Sequence, residues 1–254
     1  MRILKYVFLT CIAMIVTSLQ VYAENSTPVG RAAKLYADGK FDEALAMYSR
    51  MASKGESAEV FYNMANCYFR LDSIPKALLW YERAYLLNPS DADIRHNLQF
   101  ARTRTIDKIV PEEEIFCVRW YRAALNSFSV QGWTVAGIVC FALSLAALCL
   151  FFFLSDIRFR KSGFYGSIIL FVLMLFSNLF AWQQQDSQLN RTRAIVFSSS
   201  ISGKSSPNAA GKELFLLHEG TSVTIIDSSV KNWLLVRLPD GKEGWIPINA
   251  VEII

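Results

Sequence analysis

The residues able to do chemistry are few and scattered. The chain holds two histidines, His96 and His218, and five cysteines. Neither histidine has a second His or Cys at metal-ligand spacing, no serine sits in a nucleophile elbow, and no glycine-rich loop offers its amides to a phosphate. Glu112 to Glu114 form the densest carboxylate run, but three consecutive side chains on a helix point in different directions. Following Pro111, they suit the solvated first turn of a helix, where acidic groups complement the dipole. No enzymatic activity, cofactor or metal is expected. The side chains that remain are suited to recognition: Tyr62, Asn66, Phe69, Arg70 and Asn97 in a helical region, and Trp233 and Trp245 near the C-terminus.

The elements that must position them begin with a membrane. Hydrophobic residues make up 53% of 254, high for a globular protein in water. The excess is concentrated in Trp133 to Leu154 and Phe164 to Trp182, two runs without a charge. At about 1.5 Å per residue, each crosses a hydrocarbon core of about 30 Å. Transmembrane helices are therefore predicted over 131–154 and 164–182, joined by the loop 155–163, "SDIRFRKSG". Residues 1–23, with Arg2 and Lys5 ahead of an apolar stretch and "VYA" ending at Ala23, read as a cleaved secretory signal; an uncleaved anchor is the alternative. Either exports Glu24 onward. The loop, with Arg158, Arg160 and Lys161 against Asp156, then lies in the cytoplasm, and both polar regions lie outside, on the far side of the membrane.

Dividing the charge by segment removes another class of function. Residues 24–130 carry equal numbers of basic and acidic side chains, and residues 191–254 are nearly balanced. Neither has the basic excess that nucleic acid requires. Within the spans there is no charge to mark an ion pathway. Ala142 and Ala146 form a small-xxx-small face, and Ser177 and Asn178 place polar groups near the outer end of the second span, so the spans read as anchor and assembly surface. Of the cysteines, Cys67 and Cys117 are the two exposed to an oxidising compartment. They read as two small buried apolar side chains in preference to a disulfide.

Residues 24–104 have helical periodicity. Phe61, Met64, Ala65 and Tyr68 are followed by a break at Asp72 to Pro75, and Ala77, Tyr81 and Ala84 resume the pattern until Asn88-Pro89. Ala65, Ala77 and Ala84 are small enough for two helix backbones to approach closely. An upstream copy places Ala32, Leu35, Gly39, Phe41, Ala44 and Tyr48 at equivalent sites, and "DADIRHNLQFARTRT" supplies a capping helix with Leu98 inward. Residues 105–130 form a juxtamembrane helical linker in which Trp120 and Tyr121, with Trp133 at the start of the span, suit the headgroup layer. Beyond a second linker, 183–193, residues 194–254 change to short β-branched runs separated by turns, with Pro239-Asp240-Gly241 as a hairpin signal. Five strands closing into a small barrel are expected.

These patterns carry resemblances. The order of large, small and proline positions resembles the tetratricopeptide repeat, so Tyr62, Asn66, Phe69, Arg70 and Asn97 would line a partner-binding groove. In peptide-clamping members, asparagines resembling Asn66 and Asn97 hold a peptide backbone or terminal carboxylate. The basic residues of that clamp are not matched here, which leaves an ordinary groove or a purely structural stack. "LHEGTSVTII", "NWLLVRLPDGKEGWIP" and "AVEII" resemble the bacterial SH3-like domain, whose relatives often bind peptides or cell-wall components. Trp233 and Trp245 would either line such a site or pack the core. The whole order resembles the BatE-type aerotolerance family. That resemblance implies a place in a bacterial inner membrane, with both polar regions in the periplasm, beside von Willebrand A-domain Bat proteins and a MoxR-type ATPase. The residues themselves point to a non-catalytic scaffold that recruits protein partners through the repeats; the alternative is a cell-wall receptor that binds peptidoglycan peptides.

Overall fold

Local signals start each helix of the N-terminal region. In the computed structural model, which describes residues 27–153 and 155–254, the Thr27 hydroxyl accepts the Gly30 N–H at 3.0 Å and Pro28 opens α1, Pro28–Ala37. The expected signal, residues 1–23, lies outside the described residues, as does Leu154 at the end of the first expected span. α2, Phe41–Ala52, follows, then α3, Ala58–Arg70, and α4, Ile74–Leu87, with Pro75 in its first turn. Pro75 costs nothing there because that N–H has no intrahelical acceptor. α5, Ala92–Arg102, is capped by Asp91, whose carboxylate accepts from the amides of Asp93 and Ile94. Ala32, Ala44, Ala65, Ala77, Ala84 and Ala101 are fully buried. They let the backbones close up while Tyr48, Phe61, Met64 and Leu78 fill the layers between.

The linker departs from expectation. Residues 105–115 are not helical, and the acidic triplet Glu112 to Glu114 is no helix start; α6 begins only at Phe116 and ends at Leu125. The segment instead runs along the C-terminal sheet. The Glu112 N–H donates to the Pro239 carbonyl at 2.9 Å, and Ile109 packs on the sheet's core. Pairing with another element satisfies the backbone that a helix turn would otherwise have served.

α7, Val130–Phe153, and α8, Ile157–Leu189, are both long and apolar enough to cross a bilayer. They form an antiparallel hairpin. Residues 157–163, expected as loop, belong to α8, whose start is capped by Asp156 through the Arg158 N–H at 2.8 Å. α8 also continues to Leu189 through the expected second linker. The hairpin closes on small residues: Gly137 and Ser144 of α7, and Gly163, Ser167, Ser177 and Ala181 of α8, are buried. A Cβ on Gly163 would fall 2.7 Å from the Ala147 carbonyl oxygen, and the Ser144 hydroxyl donates to the Ser167 carbonyl at 2.9 Å. Ala142 and Ala146 do not line this contact; both are exposed. Close backbone contact and such hydrogen bonds are what would hold the pair in lipid, where a hydrophobic drive between helices is lacking.

The C-terminal region has seven strands where five were expected: β1 Arg193–Val196, β2 Ser200–Lys204, β3 Glu213–His218, β4 Ser222–Asp227, β5 Trp233–Arg237, β6 Glu243–Pro247 and β7 Val251–Ile253. They form one antiparallel sheet in the order β3-β2-β6-β5-β4-β1-β7. The ladder has two ends, β3 and β7, and is not closed into a barrel. Its core is Ala194, Val196, Leu217, Val223, Leu234, Val236, Leu238 and Ile246.

Repeat stack and sheet share a buried boundary. Ile195 and Ile254 join Leu78, Tyr81, Leu98 and Ala101 in one apolar cluster. At Gly220, with φ of 84°, a Cβ would meet Leu78 at 3.2 Å and Thr105 at 3.0 Å. Glycine suits both the left-handed backbone and the close approach.

Candidate functional site

Three of the five groove residues meet. The Asn97 side-chain amide on α5 donates to the Tyr62 hydroxyl at 2.8 Å and to the Asn66 carbonyl oxygen at 3.2 Å, both on α3. Tyr81 of α4 donates to that same oxygen at 2.5 Å. Burial pushes the Tyr81 hydroxyl well above the ordinary tyrosine value and raises Tyr62 as well. Both stay neutral at physiological pH, so Tyr81 remains a donor. Phe69 sits farther along α3 with its ring centroid 5.6 Å from that of Phe100. Arg70 is directed elsewhere, its guanidinium 5.2 Å from the centre of the Phe41 ring of α2. What converges is therefore a neutral network of amides and hydroxyls bonded to one another, with Tyr81 buried and Tyr62, Asn66 and Asn97 half-buried.

The two tryptophans lie on the outward face of the sheet. Along β5 and β6 the buried residues are Leu234, Val236, Gly244 and Ile246, while Trp233 and Trp245 alternate with them and are half-buried. In register, Trp233 opposes Pro247, Leu235 opposes Trp245 and Arg237 opposes Glu243. Neither indole belongs to the apolar core. The outward face thus carries Trp233, Leu235, Trp245 and Pro247, bordered by the Arg237–Glu243 ion pair at 2.6 Å.

Residues 58–91, covering α3 and α4, match the tetratricopeptide repeat family, and residues 206–254, covering β3 to β7, match the variant SH3 domain family. Two segments of the chain are thus similar to a tetratricopeptide repeat and to a variant SH3 domain. Both are typically non-catalytic binding modules, and no enzymatic family is matched. No curated protein matches the chain. The upstream helix pair α1 and α2, and strands β1 and β2, lie outside the matched residues. Among the described residues no group of three or more His, Cys, Asp or Glu is placed to hold a metal ion. Cys67 is buried as expected, Cys117 is instead exposed, and neither forms a disulfide; burial pushes the Cys67 thiol up to about 11.

Sequence reasoning missed the polar residues that join the modules. Glu82 of α4 is fully buried between Arg102, with which it forms a close ion pair, and Arg193 of β1 at 3.0 Å. Burial alone would raise its carboxyl, but the two guanidiniums outweigh that and hold it below the ordinary value. Asp107 accepts the His218 N–H at 2.7 Å and the Thr221 hydroxyl at 2.6 Å, and its other oxygen lies 2.8 Å from His218 Nδ1. Burial opposes ionisation there too, yet these hydrogen bonds keep the carboxyl below its usual value. A glutamate inside the apolar pattern "LLWYERAYLL" was the one available signal for Glu82.

Proposed function

We propose that the protein is a non-catalytic membrane scaffold that presents a repeat groove and an SH3 domain together, on one side of a two-helix anchor, to protein partners. The observation that carries this reading is the junction of the modules: Glu82 held between Arg102 and Arg193, over the shared cluster of Leu78, Tyr81, Ile195 and Ile254. Two binding modules fixed to each other at one end of a hairpin suit a platform that sets partners in a defined relation. In this reading the modules face the periplasm and the start of α8, bearing Arg158, Arg160 and Lys161, faces the cytoplasm. The resemblance to BatE-type proteins supports membership of an aerotolerance or envelope-stress complex, with von Willebrand A-domain Bat proteins and a MoxR-type ATPase as partners.

Crosslinking of native membranes followed by purification of the full chain tests this. Partners should co-purify with the wild type and be lost on Asn66→Ala with Asn97→Ala, while thermal unfolding stays cooperative; an unchanged set of partners would count against the groove. For orientation, in a chain whose native cysteines are replaced by serine, a cysteine at Ser155 should resist an impermeant thiol reagent in spheroplasts, whereas one at Ser53 should react. A second reading, a receptor for peptidoglycan peptides, is favoured by the outward face of Trp233, Trp245 and Pro247. Retention of the full chain on purified peptidoglycan tests it, and no retention above a control membrane protein would remove it.

A further inference from the structure

Between α5, α6 and the end of α8 lies a cleft of about 790 Å³ lined by Arg95, Arg102, Arg122, Arg191 and Arg193, with Asp186 as its lone acidic side chain. A neighbouring cavity of about 560 Å³ shares Arg95 and Arg122 and adds Arg119. The surrounding acids do not balance this charge. Arg102 and Arg193 divide one buried carboxylate, that of Glu82. Arg122 reaches Glu114 and Arg191 reaches Glu56, pairs that are both partly exposed. Arg95 donates to the Pro89 carbonyl at 2.8 Å, and among the described residues neither Arg95 nor Arg119 meets a carboxylate.

The height of the cleft above the apolar segment identifies what could fill it. Trp182 ends the apolar run, and Asp186 and Asn190 follow four and eight residues later on α8 and its cap. At 1.5 Å per residue they stand about 6 and 12 Å beyond the hydrocarbon edge, across a headgroup layer of about 5 to 7 Å and its outer margin. An aromatic group marks the same level. Tyr121 packs on Phe180, and Trp133 on both Phe128 and Phe180, with ring centroids 4.9 to 5.7 Å apart. Beside the cleft, α6 leaves Phe116 and Trp120 exposed at 60% and 71%, as a helix lying in the interface does. Guanidiniums are the side chains best shaped to hold phosphate oxygens in pairs.

We propose that this cleft binds the phosphate of an anionic phospholipid headgroup, entering from the membrane side, with Arg95 and Arg122 as its principal donors. The proposal rests on α7 and α8 crossing the bilayer. A lipid held there seats the repeat stack against the membrane surface through α6, independently of any protein partner.

The test is native mass spectrometry of the full chain titrated with phosphatidylglycerol or with phosphatidylcholine of the same acyl chains. Phosphatidylglycerol should bind about tenfold tighter, and Arg95→Gln with Arg122→Gln should remove about tenfold of its affinity. Equal binding of the two lipids, or an unchanged double variant, overturns the proposal. Excess inorganic phosphate should leave the bound lipid in place; full displacement would make this a free-anion site and overturn the lipid assignment. Arg95→Gln alone, which gives up only the bond to Pro89, keeps the test valid should the double variant fail to fold. Alkaline carbonate extraction checks the membrane-crossing premise separately, since release of the chain would defeat that premise whatever the lipid result.

Discussion

Arg193, at the start of β1, reaches into the repeat stack to lie 3.0 Å from the carboxylate of Glu82, a side chain with almost no access to water. Removing one partner of a buried ion pair leaves the other charge desolvated, at a cost of about 3 kcal/mol or more. Glu82→Ala strands two guanidiniums, although both are partly exposed and recover some hydration. We expect a loss of about 3 kcal/mol, read as a fall of roughly 6 to 12 °C in the thermal unfolding midpoint. Arg193→Ala should cost less, because Arg102 still neutralises Glu82. Tryptophan fluorescence of the full chain in detergent measures both; equal midpoints for wild type and Glu82→Ala would show that the pair does not bind the modules together.

The same carboxylate sets a pH dependence. Glu82 is lowered from an ordinary 4.5 and Asp107 from 3.8, so each binds protons more readily in the unfolded chain than in the folded one. Their stabilisation is present in full above those ordinary values and is lost as pH falls through the depressed folded ones. The urea midpoint should hold between pH 6 and pH 8 as far as these groups decide it, and drop below about pH 4.5. Glu82→Gln should lie lower throughout and fall less steeply. A midpoint in that variant that tracks wild type in parallel through acid would assign the acid sensitivity to other groups.

What could be read from the chain alone was local. Ala65, Ala77 and Ala84 announced the helix pair because close packing needs small residues at that spacing, and Pro75 marked a helix start for its own backbone reason. What escaped was set by distant partners. β2 reads "SISGK", with a single large apolar residue, and becomes a strand only by pairing with β3 and β6. Glu112 to Glu114 suit a first turn, yet the backbone there pairs with Pro239. Ser155 to Gly163 look like a loop because they are charged, but charge does not oppose a helix, and Asp156 caps one. The Tyr62, Asn66 and Asn97 group was legible as a face; Glu82 with Arg193, and Asp107 with His218, were not, since each pair joins segments more than a hundred residues apart.

Gly203 and Phe215 give a test of the sheet's interior. A Cβ on Gly203 would fall 2.1 Å from a ring carbon of Phe215, and one on Gly244 would fall 2.8 Å from the same ring. Neither β2 nor β6 backbone can withdraw without losing ladder bonds, so the ring must move. Gly203→Val should cost about 1 to 3 kcal/mol by overpacking. Phe215→Leu in the same chain should restore part of the loss, with a coupling above about 0.5 kcal/mol between the two sites. Strict additivity in urea unfolding would mean that the ring does not lie over the glycine in solution.

Trp233 and Trp245 separate packing from recognition. In so small a sheet, tryptophans in the core would be among its largest stabilisers, and truncating one to alanine would cost about 3 to 5 kcal/mol. Both instead share the outward face with Leu235 and Pro247, opposite the buried row of Leu234, Val236 and Ile246. Trp233→Ala or Trp245→Ala should therefore lower stability by less than about 1.5 kcal/mol, while Leu234→Ala should cost about 2 to 5. Binding should follow the opposite order. If the SH3 domain grips a peptide or cell-wall fragment through this face, retention on purified peptidoglycan falls with either tryptophan variant, and a residually folded Leu234→Ala keeps it. Tryptophan variants that unfold the domain would return the indoles to the core and leave the outward face without a role in binding.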